Sequence, residues 1–389
     1  MESQPSSLAP TENSYFSENP PPKILDVYTK LAKAFISYHS YSDRGVVLVT
    51  SGGTTVPLEN QTVRFIDNFS AGTRGATSAE YFLEAGYAVI FLHRQFSLLP
   101  YSRHYSHSTN CFLDFMADGQ DGEVVANPEY QSKMLAVLRK YNAAKEENKL
   151  LLLSFTSISE YLWHLRAIST LMRPLGPKAL FYLAAAVSDF FLPRDRLSEH
   201  KLQSTGRKAP SVNSSLYSQD SMNQPATQGQ QLTIALDPVP KFLRDLVDGW
   251  APEGMIVSFK LETDPSLLVS KAQEALEKYQ HHLVIGNLLS TRKWEVVFVA
   301  PGMEERWIRV AAHRRVKSVS DVRPSISPPS ATEQAWMSGE PEQEIESLIV
   351  PEVAKMHRAF LHKSEETKAE DEEDMLTRAL AWAELGAPD

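Results

Sequence analysis

Short runs of apolar residues alternate along the chain with segments whose apolar residues recur at helical spacing. Uninterrupted apolar runs are typical of strands that are buried on both faces of a sheet. The predicted strands are Val46–Thr50, Ala88–Leu92, Leu150–Phe155, Ala179–Val187, Gln231–Leu236, Met255–Phe259 and Leu283–Gly286. The predicted helices are Ile24–Tyr38, Thr73–Ala85, Gln131–Asn148, Ser157–Met172, Pro240–Gly249, Pro265–Tyr279 and Ile345–His362. This alternation predicts an α/β fold with a doubly wound, mainly parallel sheet.

The remaining segments fit one domain over residues 23–362. Two alternating runs flank Pro301-Gly302 and predict an antiparallel edge hairpin, Trp294–Ala300 with Arg306–Ala311. Polar composition predicts a disordered tail over 1–22, a flexible insertion over 204–230 and a loop over 312–340. Residues 363–389 form a charged tail that also carries a helical stripe of apolar residues.

A glycine-rich loop follows the first predicted strand. Gly52 and Gly53 come directly after the strand, and Gly72 and Gly75 open the next helix. Free backbone N–H groups and a helix N-terminus then share one place, which favours phosphate binding. The loop is no P-loop, since no lysine follows its glycines, and no G-x-G-x-x-G turn, since Gly72 lies far downstream of Gly52. The pattern indicates a nucleotide site on a Rossmann-like sheet; the alternative is a glycine turn without a ligand.

Four polar or small-residue segments follow apolar strands. They are Ser51–Thr54, Ala184–Asp189, Phe259–Lys260 and Asn287. In open α/β sheets, ligands bind at the carboxyl ends of the strands. The four segments are therefore expected to form one site.

Each candidate side chain has a functional and a structural interpretation. Asn68 would donate to a developing oxyanion, or satisfy the backbone of its own turn. Asp189 would hold Mg²⁺ or a ligand hydroxyl, or cap a turn. Lys201 would close over phosphates, or stay solvated. Phe259 would stack on a base or pack in the core, and Asn287 would contact a base or ribose edge.

Composition narrows the class of protein. The formal net charge of −9 argues against a nucleic-acid binder. A single cysteine, Cys111, excludes an internal disulfide framework and a multi-cysteine metal site. No apolar run approaches the ~20 residues of a membrane span, and the first residues resemble no signal or transit peptide. The expected location is the cytoplasm, with the nucleus as an alternative.

Several motifs occur in an order that resembles a known family. They are Ser51-Gly52-Gly53-Thr54, Pro57-Leu58, Val63-Arg64-Phe65, Asp67-Asn68-Phe69-Ser70, Tyr182 to Phe190, Glu199 to Gln203 and Ser258 to Asp264. Together they resemble phosphopantothenoylcysteine synthetase, the phosphopantothenate–cysteine ligase of coenzyme A biosynthesis, in its eukaryotic monofunctional branch. The resemblance extends over residues 24–300 and, more weakly, over the helix at 345–362.

The resemblance implies a reaction. The carboxylate of 4′-phosphopantothenate attacks the α-phosphate of ATP, pyrophosphate leaves, and the amine of L-cysteine attacks the resulting acyl-AMP to give an amide and AMP. ATP is expected rather than CTP, with Mg²⁺ to neutralise the leaving pyrophosphate. A homodimer with sites shared between subunits is also implied. Membership of a larger coenzyme A complex stays open.

The resemblance also implies roles for individual residues. The nucleotide would be held by Gly52, Gly53, Ser70, Gly72, Gly75, Phe259 and Asn287. Asn68 would bind the pantothenate carboxyl region and stabilise the acyl intermediate, and Lys201 would assist its formation from a flexible strap. Ala185, Ala186 and Asp189 would contact phosphopantothenate from the neighbouring subunit. No metal ligand is assigned.

Two rival functions share this fold. An NAD-dependent oxidoreductase would place an acid at the end of the second strand to bind a ribose diol. That strand ends in His93-Arg94, which disfavours NAD and leaves NADP weakly open. A non-catalytic scaffold or regulatory subunit of coenzyme A metabolism is the second rival, and the presence of Asn68, Asp189 and Lys201 argues against it.

Overall fold

The computed structural model of the protein describes residues 11–106, 111–202, 226–228, 231–311 and 341–384. The strands are β1 (Val46–Ser51), β2 (Thr55–Pro57), β3 (Phe65–Asp67), β4 (Ala88–Arg94), β5 (Met116–Asp118), β6 (Val124–Ala126), β7 (Leu150–Phe155), β8 (Ala179–Leu183), β9 (Phe190–Phe191), β10 (Ala226–Gln228), β11 (Gln231–Thr233), β12 (Asp237–Pro238), β13 (Met255–Glu262), β14 (Leu283–Leu288), β15 (Glu295–Val299) and β16 (Arg306–Arg309). The helices are α1 (Glu12–Glu18), α2 (Leu25–Ser40), α3 (Thr73–Glu84), α4 (Gln131–Glu146), α5 (Ile158–Met172), α6 (Phe242–Asp245), α7 (Pro265–Tyr279) and α8 (Glu346–Glu384).

One large sheet organises the molecule. Its strand order is β16-β15-β14-β13-β8-β1-β4-β7. Within this sheet the six strands β14, β13, β8, β1, β4 and β7 are parallel, whereas β15 and β16 pair antiparallel at one edge. The chain runs outward from β1 through β4 to β7, and then outward on the other side from β8 through β13 to β14. This is the doubly wound Rossmann order, whose switch point lies between β1 and β8. The predicted fold class, with its antiparallel edge hairpin, is confirmed.

Both faces of the sheet are covered by helices. Alternate residues of a strand point to opposite faces. Leu48 of β1 packs with residues of α2 and α5 on one face, while Val47 and Val49 pack with residues of α3 and α8 on the other. Every residue of β1 is buried. Burial on both faces explains why the central strands read as uninterrupted apolar runs.

The N-terminal segment differs from its prediction. Disorder was predicted over 1–22, but Glu12–Glu18 is helical, and the Thr11 hydroxyl accepts a hydrogen bond from the Ser14 amide. Tyr15 and Phe16 are 1% and 7% exposed within the core. The prediction of disorder is therefore wrong for α1, because two aromatic side chains anchor a segment whose overall composition is polar. Residues 1–10 lie outside the described residues.

Other boundaries also shift. The strand predicted over Ala179–Val187 ends at Leu183, and the one predicted over Gln231–Leu236 ends at Thr233. The helix predicted to end at His362 continues to Glu384, through much of the predicted tail. Of the predicted insertion at 204–230, only 226–228 are described, and they form β10, which pairs with β11. The loop at 312–340 lies outside the described residues. In the part of the chain that the structure covers, no helix combines the length and apolarity needed to cross a bilayer.

Candidate active site

The carboxyl ends of β1 and β8 are joined by main-chain hydrogen bonds. Gly53 and Ala186 form a parallel bridge beyond the ends of both strands. The Ala186 amide donates to the Gly52 carbonyl at 2.8 Å, and the Thr54 amide donates to the Ala186 carbonyl at 3.0 Å. The glycine turn and the small-residue segment after β8 thus form one continuous wall at the switch point of the sheet, where such folds bind ligands.

Two threonine hydroxyls strengthen this junction. The Thr50 hydroxyl accepts a hydrogen bond from the Ala185 amide at 3.2 Å, and the Thr54 hydroxyl accepts one from the Ser188 amide at 2.9 Å. Both threonines are buried. Sequence reasoning missed Thr50, and it placed Thr54 in a candidate segment without giving it this role, because the hydrogen bonds depend on which strand lies beside β1.

Gly53 makes room for the loop that carries Asn68. A Cβ atom at Gly53 would lie 1.6 Å from the Asn68 carbonyl oxygen. The Asn68 amide donates to the Thr54 carbonyl at 3.1 Å. The main chain at Asn68 therefore lies directly on the glycine turn, which only glycine permits here.

Helix α3 begins at the same place. Gly72, its N-cap residue, has φ +83°, in the left-handed region that favours glycine. Its carbonyl accepts from the Ser51 hydroxyl at 3.0 Å, and its amide donates to the Ser70 hydroxyl at 3.3 Å. The amides of a helix's first turn have no intrahelical acceptor, and the helix dipole gives this end partial positive charge. The predicted phosphate-binding elements thus converge on the glycine turn.

Asn68 is held by its main chain, which leaves its side chain available. The residue is half-buried, and its side chain makes no hydrogen bond within the described part of the chain. The neighbouring Asp67 forms an ion pair with Arg94 at the end of β4. Among the described residues, no hydrogen bond of this side chain satisfies its own turn, so its amide group is available to a ligand, a role that stays a prediction.

A cavity of about 310 Å³ opens beside the segment after β8. Ala185, Asp189 and Phe259 line it, together with Lys241, which sequence reasoning missed. Phe259 also packs edge-to-face on buried Tyr182, with ring centroids 5.0 Å apart. Phe259 therefore belongs both to the core and to the cavity wall, and its stacking on a base stays a prediction.

Two predicted residues lie further from the glycine turn. Asn287, 6% exposed, is in β14, which is separated from β8 by β13. Lys201 is exposed on a segment whose main chain is hydrogen-bonded to the loop between β2 and β3. Within the described ranges, no group of three or more His, Cys, Asp or Glu side chains could hold a metal ion.

Comparison with characterised proteins identifies the family. No protein-family model matches the chain. The phosphopantothenate–cysteine ligase CAB2 of Saccharomyces cerevisiae is 52% identical over 303 residues, which cover 77% of this chain and 80% of the yeast protein. The chain belongs to the phosphopantothenate–cysteine ligase family. The human phosphopantothenate–cysteine ligase is 40% identical over 294 residues, covering 75% of this chain and 87% of the human one.

A solved structure of the ligase family matches the fold. A variant of Cab2 in complex with phosphopantothenate-cysteine superimposes with a TM-score of 0.74 at 44% identity, covering 91% of this chain and 100% of that one. The family resemblance drawn from the sequence motifs is confirmed. The roles of individual site residues in this ligase-family member stay predictions.

Proposed function

We propose that the protein joins 4′-phosphopantothenate to L-cysteine in coenzyme A biosynthesis. The observation that carries this proposal is the junction at Gly53, where the Asn68 loop lies on the glycine turn beside the first turn of α3. In the proposed reaction, a carboxylate oxygen of phosphopantothenate attacks the α-phosphorus of ATP and pyrophosphate leaves. The cysteine amine then attacks the acyl carbon, so that AMP leaves and an amide forms.

The glycine turn and the first turn of α3 would bind the nucleotide. Gly52, Gly53, Ser70, Gly72 and Gly75 bring backbone amides and a hydroxyl to the N-terminus of α3, an arrangement that suits phosphate oxygens. Phe259 and Asn287, in the carboxyl-terminal halves of β13 and β14, would contact the base and ribose. ATP is preferred over CTP in the proposal because the chain resembles the eukaryotic ligases.

The acyl centre would lie at Asn68. Its side-chain amide would donate to the acyl oxygen as charge develops there, and the ammonium group of Lys201 would neutralise phosphate charge. Ala185, Ala186 and Asp189 would contact phosphopantothenate across a homodimer interface. Holding the reactants in line can supply ~7–11 kcal/mol of the barrier reduction.

Magnesium fits this site as an ion held mainly by the nucleotide. Mg²⁺ bound to phosphates usually keeps several waters and takes one or two carboxylates. Exposed Asp189 is the carboxylate beside the small-residue segment that would hold it. When bound, Mg²⁺ neutralises the charge of the departing pyrophosphate.

The first experiment measures pyrophosphate release and product amide with 4′-phosphopantothenate, cysteine and Mg²⁺, with ATP and CTP in parallel. The Asn68→Ala variant should lose on the order of 10²–10³ in kcat, as expected when an oxyanion donor is removed. The matched Asn127→Ala variant changes an asparagine in the loop after β6 and should keep wild-type rates. A folded protein without turnover on either nucleotide would contradict the ligase and favour the scaffold role.

The shared homodimer site has its own test. Asn68→Ala and Asp189→Ala proteins, each of low activity, are unfolded together, refolded and assayed. If a site takes Asn68 from one subunit and Asp189 from the other, each mixed dimer carries one intact site, so about a quarter of wild-type activity should return. No recovery would place both residues in the same subunit's site.

A further inference from the structure

Glu59, in the loop between β2 and β3, has a fully buried side chain, with 0% exposure. Its Oε2 atom accepts hydrogen bonds from the Val63 and Arg64 amides at 3.2 and 2.9 Å. Its Oε1 atom accepts from the Leu202 amide at 3.4 Å and from Arg64 Nη1 at 3.4 Å. One carboxylate therefore joins two segments that are far apart in sequence.

The second of these segments, residues 198–202, carries Lys201. It lies along the loop, with the Asn60 amide donating to the Ser198 carbonyl at 2.9 Å. Arg64 Nη1 donates to the Leu202 carbonyl at 2.7 Å, so Leu202 is bonded through both its amide and its carbonyl. The partly buried Leu202 side chain packs against the core. The main chain on the C-terminal side of Lys201 is thus fixed to the Glu59 carboxylate.

The first segment leads to Asn68. From Arg64 the chain continues through β3 to Asp67 and Asn68, whose amide is bonded to the Thr54 carbonyl. The Leu58 amide closes the loop by donating to the Arg64 carbonyl at 3.0 Å. The Glu59 side chain therefore sets the shape of the loop that brings Asn68 onto the glycine turn.

The chemistry of the four donors requires an ionised carboxylate. Burial opposes ionisation of Glu59, but the amides of Arg64, Val63 and Leu202 and the Arg64 guanidinium outweigh it and hold the pKa of Glu59 below its usual range. A neutral side chain of the same size would turn an NH₂ group toward at least one of these donors.

We propose that Glu59 is a positioning residue of the ligase, which fixes the Asn68 loop and the Lys201 segment relative to each other. The inference rests on the proposed function, in which both side chains act at the acyl centre. Glu59 is enclosed by its protein donors, so it acts through the two segments. Its loss should therefore lower the rate of acyl-AMP formation and leave the cysteine KM unchanged.

A double-mutant cycle tests this role. Glu59→Gln should lower kcat for pyrophosphate release by about 10- to 100-fold, the effect of misplacing a reacting group. In a Lys201→Ala background, the same substitution should cost clearly less than in the wild type, since only its effect on the Asn68 loop remains. Glu147→Gln, which changes a carboxylate paired with Lys149, should leave kcat unchanged.

Tryptic cleavage after Lys201 provides a readout independent of activity. Release of the segment should speed this cleavage in Glu59→Gln relative to the wild type and to Glu147→Gln. Glu59→Asp keeps the charge and should restore part of the kcat and part of the resistance to cleavage. If Glu59→Gln fails to fold, Glu59→Asp takes its place in both measurements.

The outcomes separate this inference from the proposed function. An active wild type with equal costs of Glu59→Gln in both backgrounds would overturn the positioning role alone. A wild type that releases no pyrophosphate with either nucleotide would overturn the proposed function, and the positioning role with it.

Discussion

At the scale of single residues, the missing side chain of Gly53 decides how the site is assembled. The Asn68 carbonyl occupies the space where a Cβ atom would stand, 1.6 Å away. The atom in the way belongs to the backbone of a loop that is itself bonded to Thr54, so it cannot rotate aside. Tight packing at this point is what brings the main chain of Asn68 onto the glycine turn.

Replacing Gly53 by alanine should displace the Asn68 loop. We expect kcat/KM for pyrophosphate release to fall on the order of 10²-fold, because the acyl-centre donor moves by about an ångström or more. Gly249→Ala is the control, since a Cβ there meets no atom within 4 Å. Steady-state kinetics on both variants, with circular dichroism to verify folding, checks the expectation; equal activities would contradict it.

The local sequence shows which residues belong to this site more readily than it shows which residues they contact. Glycines at Gly52 and Gly53 are recognisable because they follow a buried strand. The bonds of Thr50 to Ala185 and of Glu59 to Leu202 are not, because each partner comes from a distant part of the chain. Nothing in the residues around Glu59 shows whether it is a buried carboxylate that accepts several hydrogen bonds or an exposed glutamate of a loop.

At the scale of elements, α1 depends on the core for its stability. A helix as short as Glu12–Glu18 is unstable alone in water, so tertiary packing must hold it. Tyr15 lies edge-to-face on Phe191 and Phe242, with ring centroids 5.0 and 5.2 Å away, and Phe16 contacts Trp163 at 4.6 Å. Because Phe242 also lines the 310 Å³ cavity, α1 supports one wall of the candidate site.

Truncating Phe16 should destabilise the whole domain. We expect Phe16→Ala to lower the free energy of unfolding by about 3–5 kcal/mol, the usual cost of a buried phenylalanine. Tyr41→Ala, at a residue that is 95% exposed, should change it by less than about 0.5 kcal/mol. Urea denaturation of both variants measures the difference. A Phe16→Ala protein as stable as the wild type would mean that α1 is not docked.

Element positions follow from the sequence where burial is uniform along a segment. The apolar runs locate the central strands because both sheet faces are covered. The same criterion extends β8 too far, since Ala184–Val187 is apolar but joins the glycine turn through a bridge instead of continuing the ladder. It also misses α1, in which Tyr15 and Phe16 alone supply the buried surface.

At the scale of the whole molecule, several buried histidines couple stability to pH. Burial lowers the pKa of His164, His281 and His357 to about 4. His357 is held between the Tyr87 hydroxyl and the Pro177 carbonyl, which suits a neutral ring. In the unfolded chain these rings titrate near pH 6.5. The unfolded state therefore binds more protons below pH 6.5, and stability falls as the pH drops from about 6.5 towards 4.

This linkage predicts acid sensitivity. Between pH 7 and pH 5, each of the three histidines should remove about 2 kcal/mol from the free energy of unfolding. Urea denaturation at both pH values measures the loss, which should be about 2 kcal/mol smaller in His357→Gln. Any lower stability of the variant at pH 7 cancels, because each protein is compared with itself at the two pH values. An unchanged pH dependence in His357→Gln would contradict the linkage at this residue.

The strand order also governs when the site comes into existence during folding. β1 and β8 are neighbours, with Val46 opposite Ala179, although β4 and β7 are made between them. Closing so long a loop is entropically costly and slows folding. On the ribosome, β1 emerges well before the strand that completes its ladder. Until β8 arrives, one edge of β1, whose first four residues are all apolar, stays unpaired, so the nascent chain exposes an aggregation-prone strand edge where the ligand crevice will form.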